Sequence, residues 1–361
     1  MKILFVVPKP NVGGLQTTLR NRIYALNAAG IRAEVIFQQR GDGEYIFDRI
    51  PHRFIRYPST FANAVKSGKY DVVSFIYSLR FLPYVPRDYK GIVLYEVRGW
   101  GRKVELEFDN LPRDPDGSRR LNAIVCIARY LVPLVKRRLH RDIPVFVDGN
   151  AVDPMFHFIP PSKRVWKKLP VPKPGRKVIA YVGRVEESKN WSEYVDICEK
   201  VSRTDPIESW VICHPNTSRD LDLLIKRCET GPMKDVLRVI RHVPNHYMPQ
   251  LYSAVKKSGG CVLTTSRREG LGNSVLEPMA CGLPVVSSDV PGKNEIIRHG
   301  VNGLLYPLGN VDAGARCVRR IIRNQRLRNK LITHALRTIR TEYSPSDYVR
   351  RFMKILTRLK R

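Results

Sequence analysis

The stretch CVLTTSRREGLGNSVLEPMACGLPVVSSD, residues 261–289, contains a strand–loop–helix–strand unit. Its first residues are mostly apolar or β-branched and predict a buried strand, and LPVVSSD predicts a second one. A glycine-rich loop and a segment of helical character separate the two. Because two strands joined through a helix run parallel in one sheet, this stretch predicts a βαβ unit of an α/β fold.

The same alternation recurs on both sides of this unit. Short apolar runs followed by helical or loop sequence are KILFVV, RAEVIF, YDVVSFIYS, GIVLYEVRG and NAIVCIA in the first half and KVIAYVG, ESWVIC and LRVIRHVP in the second. The pattern starts again after a stretch rich in proline and lysine. It therefore predicts two doubly wound Rossmann-like domains facing across a cleft, with ligands beyond the carboxyl ends of the strands.

This restart sets the predicted domain boundaries. The predicted segments are a first domain (1–160), a basic, proline-rich linker (161–176), a second domain (177–345) and a basic C-terminal helix that could return to the first domain (346–361). Ser344 or Ser346 is the expected cap of this helix. Its apolar stripe, which favours packing in a core, consists of Tyr348, Phe352, Ile355 and Leu356.

The composition indicates a cytoplasmic globular protein. No apolar run approaches the roughly 20 residues that cross a membrane. The opening MKILFVVPKP has too short an apolar run for a signal peptide and predicts a buried strand instead. The seven cysteines have no metal-binding spacing and lie mostly in apolar runs such as IVCIA. They are therefore expected to be buried free thiols in a reducing compartment.

The charge is the most unusual bulk property. The chain has 63 lysines and arginines against 33 acidic residues, a net charge of +30. The excess is concentrated in 161–177, with seven basic residues, and in 301–361, with 15 basic and three acidic residues. This charge exceeds what solubility requires. An anionic partner is therefore expected: a membrane surface, an anionic polymer or nucleic acid.

The loop of the opening stretch carries two carboxylates, Glu269 and Glu277, around Gly270 and Gly272. Such a pair is typical of glycosidases, whose acid and base flank the bond that is cleaved. The glycines indicate instead a backbone that approaches a phosphate or sugar closely at the start of a helix. Ser274 and Glu277 also fit a capping box, which gives Glu277 a structural alternative.

Three segments together resemble the donor-binding half of family 4 retaining glycosyltransferases with the GT-B fold: VGRVEESKN (182–190), residues 266–297 and VNGLLYP (301–307). The run MACGLPVVSSDVPGKNEII matches that family almost residue for residue. NVGGLQ and VDGNAVDPMF resemble its glycine loop and its inter-domain segment. The resemblance covers nearly the whole chain and is weakest over residues 40–120.

The resemblance implies that the second domain binds a nucleotide-sugar donor. Arg184 and Lys189 would contact the diphosphate, Glu269 the donor sugar and Glu277 the ribose hydroxyls. The remaining donor-binding residues of this loop would be Gly270, Leu271, Gly272 and Asn273. Fixed cations beside a leaving diphosphate stabilise the charge that develops in the transition state. Since a glycosidase has no need of them, Arg184 and Lys189 favour sugar transfer over hydrolysis.

The first domain offers weaker candidates. Gly13 and Gly14 open its first helix, where N–H groups favour a phosphate or sugar, so we place them among the donor-binding residues; a tight turn is the alternative. Many family members carry a His-Asp pair where this sequence has Arg98-Gly99. Glu96 and Arg98 are the expected acceptor-side substitutes, with an internal salt bridge as the alternative. Trp100 would stack on a sugar or pack in the core.

Two D-x-D motifs resemble those of metal-dependent glycosyltransferases. DPD (114–116) lies in a turn rich in proline, glycine and arginine, and DLD (220–222) lies at a predicted helix start. Lysine and arginine can supply the charge that a metal provides in such enzymes. We therefore expect neither a metal nor another cofactor.

These observations predict a metal-independent glycosyltransferase, and the resemblance implies that it retains the anomeric configuration. It would move a hexosyl group from a nucleotide-diphosphate donor to an acceptor hydroxyl in cell-surface polysaccharide or glycolipid synthesis. An anionic or lipid-linked acceptor at the inner face of the membrane, and not nucleic acid, would account for the charge. The alternatives are a sugar-nucleotide 2-epimerase of the same fold, a basic nucleic-acid-binding protein and a non-catalytic sugar binder.

Overall fold

The computed structural model describes residues 1–111, 120–160 and 169–360. The DPD motif at 114–116 and residues 161–168 of the predicted linker lie outside these ranges. The chain divides into two compact units. The first comprises Met1–Ala151 with Tyr343–Arg361, and the second comprises Val152–Glu342.

The first unit is a parallel sheet with helices. Its strands are β1 (Lys2–Val7), β2 (Arg32–Phe37), β3 (His52–Phe54), β4 (Val72–Ile76), β5 (Ile92–Val97), β6 (Ala123–Cys126) and β7 (Val145–Val147). Its helices are α1 (Gly14–Ala28), α2 (Pro58–Gly68), α3 (Arg102–Asn110), α4 (Leu131–Lys136) and, from the end of the chain, α11 (Pro345–Leu359). The strand order is β3-β2-β1-β4-β5-β6-β7, and every pairing is parallel.

Helix α11 completes the core of the first unit. Ser344, one of the two serines predicted as its cap, accepts a hydrogen bond of 3.2 Å from the backbone N–H of Asp347. The predicted apolar stripe is buried and belongs to the same cluster as Ile23 and Leu26 of α1. Both predictions for this helix, its cap and its buried stripe, are thus confirmed.

The second unit repeats this architecture. Its strands are β8 (Lys177–Val182), β9 (Ile207–Cys213), β10 (Leu237–Arg241), β11 (Cys261–Thr264), β12 (Val285–Asp289) and β13 (Leu304–Pro307). Its helices are α5 (Trp191–Ser202), α6 (Leu221–Cys228), α7 (Met248–Lys257), α8 (Asn273–Ala280), α9 (Val311–Arg323) and α10 (Gln325–Glu342). The strand order is β10-β9-β8-β11-β12-β13.

The opening stretch forms the predicted βαβ unit, since β11 pairs in parallel with β12 and α8 connects them. Strand β11 also pairs with β8, through Cys261 with Ile179. The strand order therefore reverses between β8 and β11, and ligands of doubly wound sheets bind at such a reversal. The two α/β units with parallel sheets confirm the predicted fold class. The short strands β3, β7 and β13 were not predicted.

Removing the ring of Phe352 tests the contribution of α11 to the first unit. Phe352 is fully buried and lies against Tyr348, with ring centroids 5.7 Å apart. We expect Phe352→Ala to lower the free energy of unfolding by about 3–5 kcal/mol, because it leaves a cavity in the core. Urea denaturation measures this change.

The exposed Lys354 of the same helix provides the matched control. Lys354→Ala should change stability by less than about 0.5 kcal/mol. An equally small effect of Phe352→Ala would show that α11 is not part of the folded core.

Candidate functional site

Two loops meet at the strand reversal of the second unit. The loop after β8 carries Arg184 and Lys189, and the loop after β11 carries Glu269. Thr265 holds the loops together, since its hydroxyl lies 3.0 Å from the carbonyl oxygen of Lys189 and 2.9 Å from that of Asn190. Asn190 has a left-handed backbone, φ 53°, which turns the chain from this loop into α5. The fold thus brings two of the predicted site segments side by side.

Lys189 and Glu269 form an ion pair at this junction. The Nζ of Lys189 lies 2.6 Å from Oε1 of Glu269, and the Ser266 hydroxyl donates to the same oxygen at 2.9 Å. The Glu269 side chain is 15% exposed. Burial raises the pKa of Glu269, but the charges of Lys189 and Lys293 outweigh it and hold the pKa below its ordinary value. Glu269 is therefore an ionised acceptor of hydrogen bonds and not a proton donor.

Lys293 is a buried member of this site that the sequence did not reveal. Its side chain is fully buried, and its ammonium donates to the Ser288 hydroxyl at 3.0 Å and to the carbonyl oxygens of Thr264 and Ser266 at 3.3 and 3.4 Å. Burial lowers its pKa to about 7, although the Glu269 carboxylate opposes this shift. A lysine after Pro-Gly is typical of an exposed turn, so no signal in the sequence marks this residue as buried.

Arg184 lies at the exposed side of the same loop. Its side chain is 54% exposed and pairs with Glu186 at 3.0 Å, not with Glu269. Its backbone carbonyl accepts a hydrogen bond of 2.6 Å from the hydroxyl of Tyr181. The guanidinium therefore faces solvent while paired with Glu186, and its contact with a diphosphate stays a prediction.

The glycine-rich loop leads directly into α8. Gly270 packs against Gly292, where φ is 88° and an added Cβ would lie 2.5 Å from the Gly270 carbonyl oxygen. Glycine is therefore required at 292, both for its backbone angle and for this close approach. Gly272 and Leu271 are buried, whereas Asn273 at the start of α8 is partly exposed. The positive end of the helix dipole lies here, which makes this end of α8 suitable for an anion.

The predicted capping box at Ser274 is wrong. Helix α8 begins at Asn273, and its N-cap is Gly272, which has no side chain. The helix starts one residue earlier than a Ser274 cap requires, because Gly272 already provides the extended backbone before the first turn. Glu277 lies within the helix, half-buried, and accepts a hydrogen bond of 3.4 Å from the Tyr252 hydroxyl. Ribose binding by Glu277 stays a prediction.

In the first unit, Gly13 and Gly14 lie exposed at the start of α1. The preceding loop is packed against a second glycine turn. An added Cβ at Gly41 would lie 2.2 Å from the Pro10 carbonyl oxygen, and one at Gly43 would lie 2.6 Å from backbone atoms of Asn11. The open helix start is thus built on closely packed backbone, and its role in donor binding stays a prediction.

Glu96 lies inside the first unit. Its two carboxylate oxygens accept from the Arg22 guanidinium at 2.7 and 2.9 Å, and Ser74 donates at 2.7 Å. Arg98 lies 3.5 Å from the same carboxylate. Burial raises the pKa of Glu96, but Arg22 and Arg98 outweigh it and lower the pKa overall. Because Glu96 is fully buried, it has no surface for an acceptor, and its contacts are those of the alternative internal salt bridge.

Arg98 and Trp100 are also engaged within the first unit. Arg98 is 5% exposed and donates to the carbonyl oxygen of Asp148 at 3.2 Å and to Asn150 at 2.9 Å. Trp100 is partly buried, donates its indole N–H to Glu105 at 2.9 Å and stacks on the Phe108 ring at 6.0 Å. These contacts support the loop after β5 from inside.

Several further predictions can be compared with the residues that the structure describes. All seven cysteines are buried and free, as predicted. DLD lies at a helix start as predicted, with Asp220 accepting from the Trp191 indole at 3.0 Å. Within 1–111, 120–160 and 169–360, no group of three or more His, Cys, Asp or Glu side chains could hold a metal ion. No helix in those ranges is both long and apolar enough to cross a membrane.

Comparison with known proteins gives a consistent result for the second unit. Residues 162–338 match the family described as glycosyl transferases group 1. Over 172 residues the chain is 27% identical to alpha-D-kanosaminyltransferase of Streptomyces kanamyceticus, covering 47% of this chain and 43% of the relative. Over 140 residues it is 29% identical to the amylovoran biosynthesis glycosyltransferase AmsK of Erwinia amylovora, covering 39% and 32%. The chain therefore spans less than half the length of these curated relatives.

A solved structure matches over the whole chain. Anabaena Alr3699/HepE in complex with UDP superposes with a TM-score of 0.82 at 18% identity, covering 99% of this chain and 100% of that one. At this identity the match establishes the fold, and it confirms the GT-B fold that the resemblance implied. Membership of family 4 in particular stays a prediction.

Replacing the buried lysine tests the electrostatics of the site. The folded-state pKa of Lys293, about 7, lies below its ordinary value of 10.5. Between these values the unfolded chain binds more protons, so this lysine makes wild-type stability rise with pH. We expect Lys293→Met to remove that rise. The free energy of unfolding of the variant minus that of wild type should be constant below about pH 7 and fall from there to about pH 10.

Urea denaturation of both proteins across this pH range measures the difference. Lys226→Met on α6 makes the same chemical change at an exposed lysine and controls for the loss of one charge. A difference that does not vary with pH would contradict the burial of a titrating ammonium at residue 293.

Proposed function

We propose that this chain, whose residues 162–338 belong to the glycosyl transferases group 1 family, transfers a sugar from a nucleotide-diphosphate donor to an acceptor hydroxyl. The observation that carries this proposal is the ion pair of Lys189 and Glu269 at the strand reversal of the second unit. It places one cation and one ionised carboxylate side by side. A sugar diphosphate presents an anion, which suits the lysine, and hydroxyl groups, which suit the carboxylate.

In the proposed reaction, the bond between the anomeric carbon and the diphosphate oxygen breaks, and its electron pair stays on the diphosphate. The acceptor oxygen forms the new bond to the anomeric carbon, with retention of configuration, and its proton passes to a donor phosphate oxygen. Lys189 stabilises the charge that grows on the diphosphate, and Arg184 approaches it from the exposed side. No metal takes part in this proposal.

Glu269 positions the donor sugar by accepting hydrogen bonds from its hydroxyls. Lys189, Ser266 and the buried charge of Lys293 hold this carboxylate in place before the donor arrives. Such preorganisation lowers the cost of reaching the transition state. Glu277, half-buried within α8, is proposed to bind the ribose diol.

The nucleotide is proposed to be uridine diphosphate. Alr3699/HepE has been solved with UDP and with UDP-glucose, and it shares the fold of this chain. AmsK is named for the biosynthesis of a polysaccharide, amylovoran. An anionic or lipid-linked saccharide is accordingly the proposed acceptor, in cell-surface polysaccharide or glycolipid synthesis at the inner face of the membrane. The net charge of +30 supports an anionic acceptor or an anionic membrane surface.

The change Glu269→Gln tests the central residue of this proposal. A donor is first selected by thermal shift among UDP-, GDP-, dTDP- and ADP-sugars, and we expect a UDP-sugar to stabilise the protein. With that donor, Glu269→Gln should lower sugar transfer by about 100-fold or more, since an amide holds the sugar hydroxyls less strongly than a carboxylate does. Release of UDP and analysis of the sugar product measure the effect.

Glu187→Gln is the matched control, because Glu187 is exposed on the loop that carries Lys189. It should keep transfer within about twofold of wild type. Circular dichroism of both variants checks their folding. Full transfer by Glu269→Gln would remove this residue from the site, and absence of a response to all four donor classes would contradict the proposed function.

A further inference from the structure

Helix α9 carries a stripe of arginines on its exposed side. Arg316, Arg319, Arg320 and Arg323 are three, four and seven positions apart, so they share one face of the helix. The opposite face is buried in the core of the second unit through Gly314, Ala315, Cys317, Val318, Ile321 and Ile322. The proposed transfer reaction uses none of these arginines.

The stripe lines an open groove of about 1000 Å³ at the corner between α9 and α10. Arg326 in the first turn of α10 adds a fifth guanidinium. The other lining residues are Asn324, Gln325, Leu327 and Asn329, so the groove has no acidic and no aromatic lining residue in the part of the chain that the structure describes.

The corner that forms the groove is fixed by hydrogen bonds. Arg328 donates to the carbonyl oxygens of Ile321 and Ile322 at 2.7 and 3.1 Å, which satisfies the end of α9. Asn324 accepts from the backbone N–H of Leu327 at 2.9 Å and so caps the start of α10. The arginines are therefore presented by two helices held at a defined junction.

The groove keeps an excess of positive charge. Asp205 pairs with Arg323 at 2.6 Å and with Arg319 at 3.5 Å. Across the described ranges, Arg320 and Arg326 form neither an ion pair nor a hydrogen bond, and both are exposed. Asp205 precedes β9, so the groove lies at the amino ends of the strands. The Lys189–Glu269 pair lies at their carboxyl ends, on the opposite edge of this sheet.

We propose that this groove is a second binding site, for an anionic saccharide chain. Guanidinium groups form bidentate hydrogen bonds with carboxylate, sulfate and phosphate. The side-chain amides of Asn324, Gln325 and Asn329 can donate hydrogen bonds to sugar hydroxyls and accept them. A nucleic-acid strand is disfavoured because, among the described residues, the groove has no aromatic lining side chain to serve as a stacking platform for successive bases. A bilayer is disfavoured because a concave groove with one partly buried leucine offers no apolar face to insert.

Binding at this groove does not require the transfer reaction. Where the proposed function also holds, the groove would retain an anionic polymer on the enzyme between additions and raise its effective concentration at the second unit. The two sites would then act on one substrate from opposite edges of the same sheet.

The test compares two double variants with equal charge change. Arg320→Glu with Arg326→Glu reverses two positive charges that line the groove. Arg337→Glu with Arg340→Glu makes the same change at two exposed arginines of α10 outside it. The probe is a dye-labelled oligogalacturonate, a chain of carboxylated sugars, and fluorescence anisotropy measures its affinity. We expect the groove variant to weaken binding at least tenfold and the control variant to change it less than twofold. Neutral dextran should not compete.

Equal losses in both variants would show attraction by net charge alone and overturn the proposal. Competition by a UDP-sugar would assign the binding to the donor site and overturn it as well. If single-stranded RNA or anionic phospholipid vesicles bound more tightly than the saccharide, with the same loss in the groove variant, the groove would belong to that partner instead. The thermal shift with the donor should be unchanged in both variants, which separates this test from that of the transfer reaction.

Discussion

The ion pair between Lys189 and Glu269 is the interaction on which the proposed site of the second unit depends. It forms because parallel strands β8 and β11 are neighbours while the chain leaves them in different directions. Their loops then meet, and each contributes one charge at a separation of 2.6 Å. The pair therefore places a cation and a carboxylate, both partly exposed, at the carboxyl ends of two neighbouring strands.

The buried ions of the first unit have a different character. Glu96 is surrounded by Arg22, Ser74 and Arg98 and is fully removed from solvent. Removing one partner of such a cluster leaves an uncompensated charge, which is strongly unfavourable. In addition, the Arg22 guanidinium lies 5.1 Å from the Tyr348 ring centroid, so this cluster connects the sheet to helix α11. The same residue types thus hold a core together in one unit and border an accessible loop in the other.

Much of this structure follows from patterns visible in the sequence. The apolar runs predicted the central strands because parallel strands are buried on both faces and read as continuous apolar segments. Lys189 and Glu269 were both expected to contact the donor from the resemblance, and both lie in loops at the carboxyl ends of the neighbouring strands β8 and β11. Helix α11 was predictable from its serine cap and its apolar stripe.

Other features depend on contacts that no local pattern encodes. The edge strands β3 and β7 contain three residues each and are partly exposed, so their periodicity is too short to detect. Lys293 is buried only because carbonyl and hydroxyl oxygens near the ends of β11 and β12 converge on its ammonium. Glu96 was expected on the acceptor side as a substitute for the family's His-Asp pair, whereas its burial is set by Arg22, 74 positions earlier.

The structure of this protein with UDP-glucose bound is the most direct test of the proposed donor site. We expect a diphosphate oxygen about 2.7–2.9 Å from the Lys189 ammonium and a sugar hydroxyl on Glu269. A donor bound away from both residues, with their ion pair intact, would contradict it.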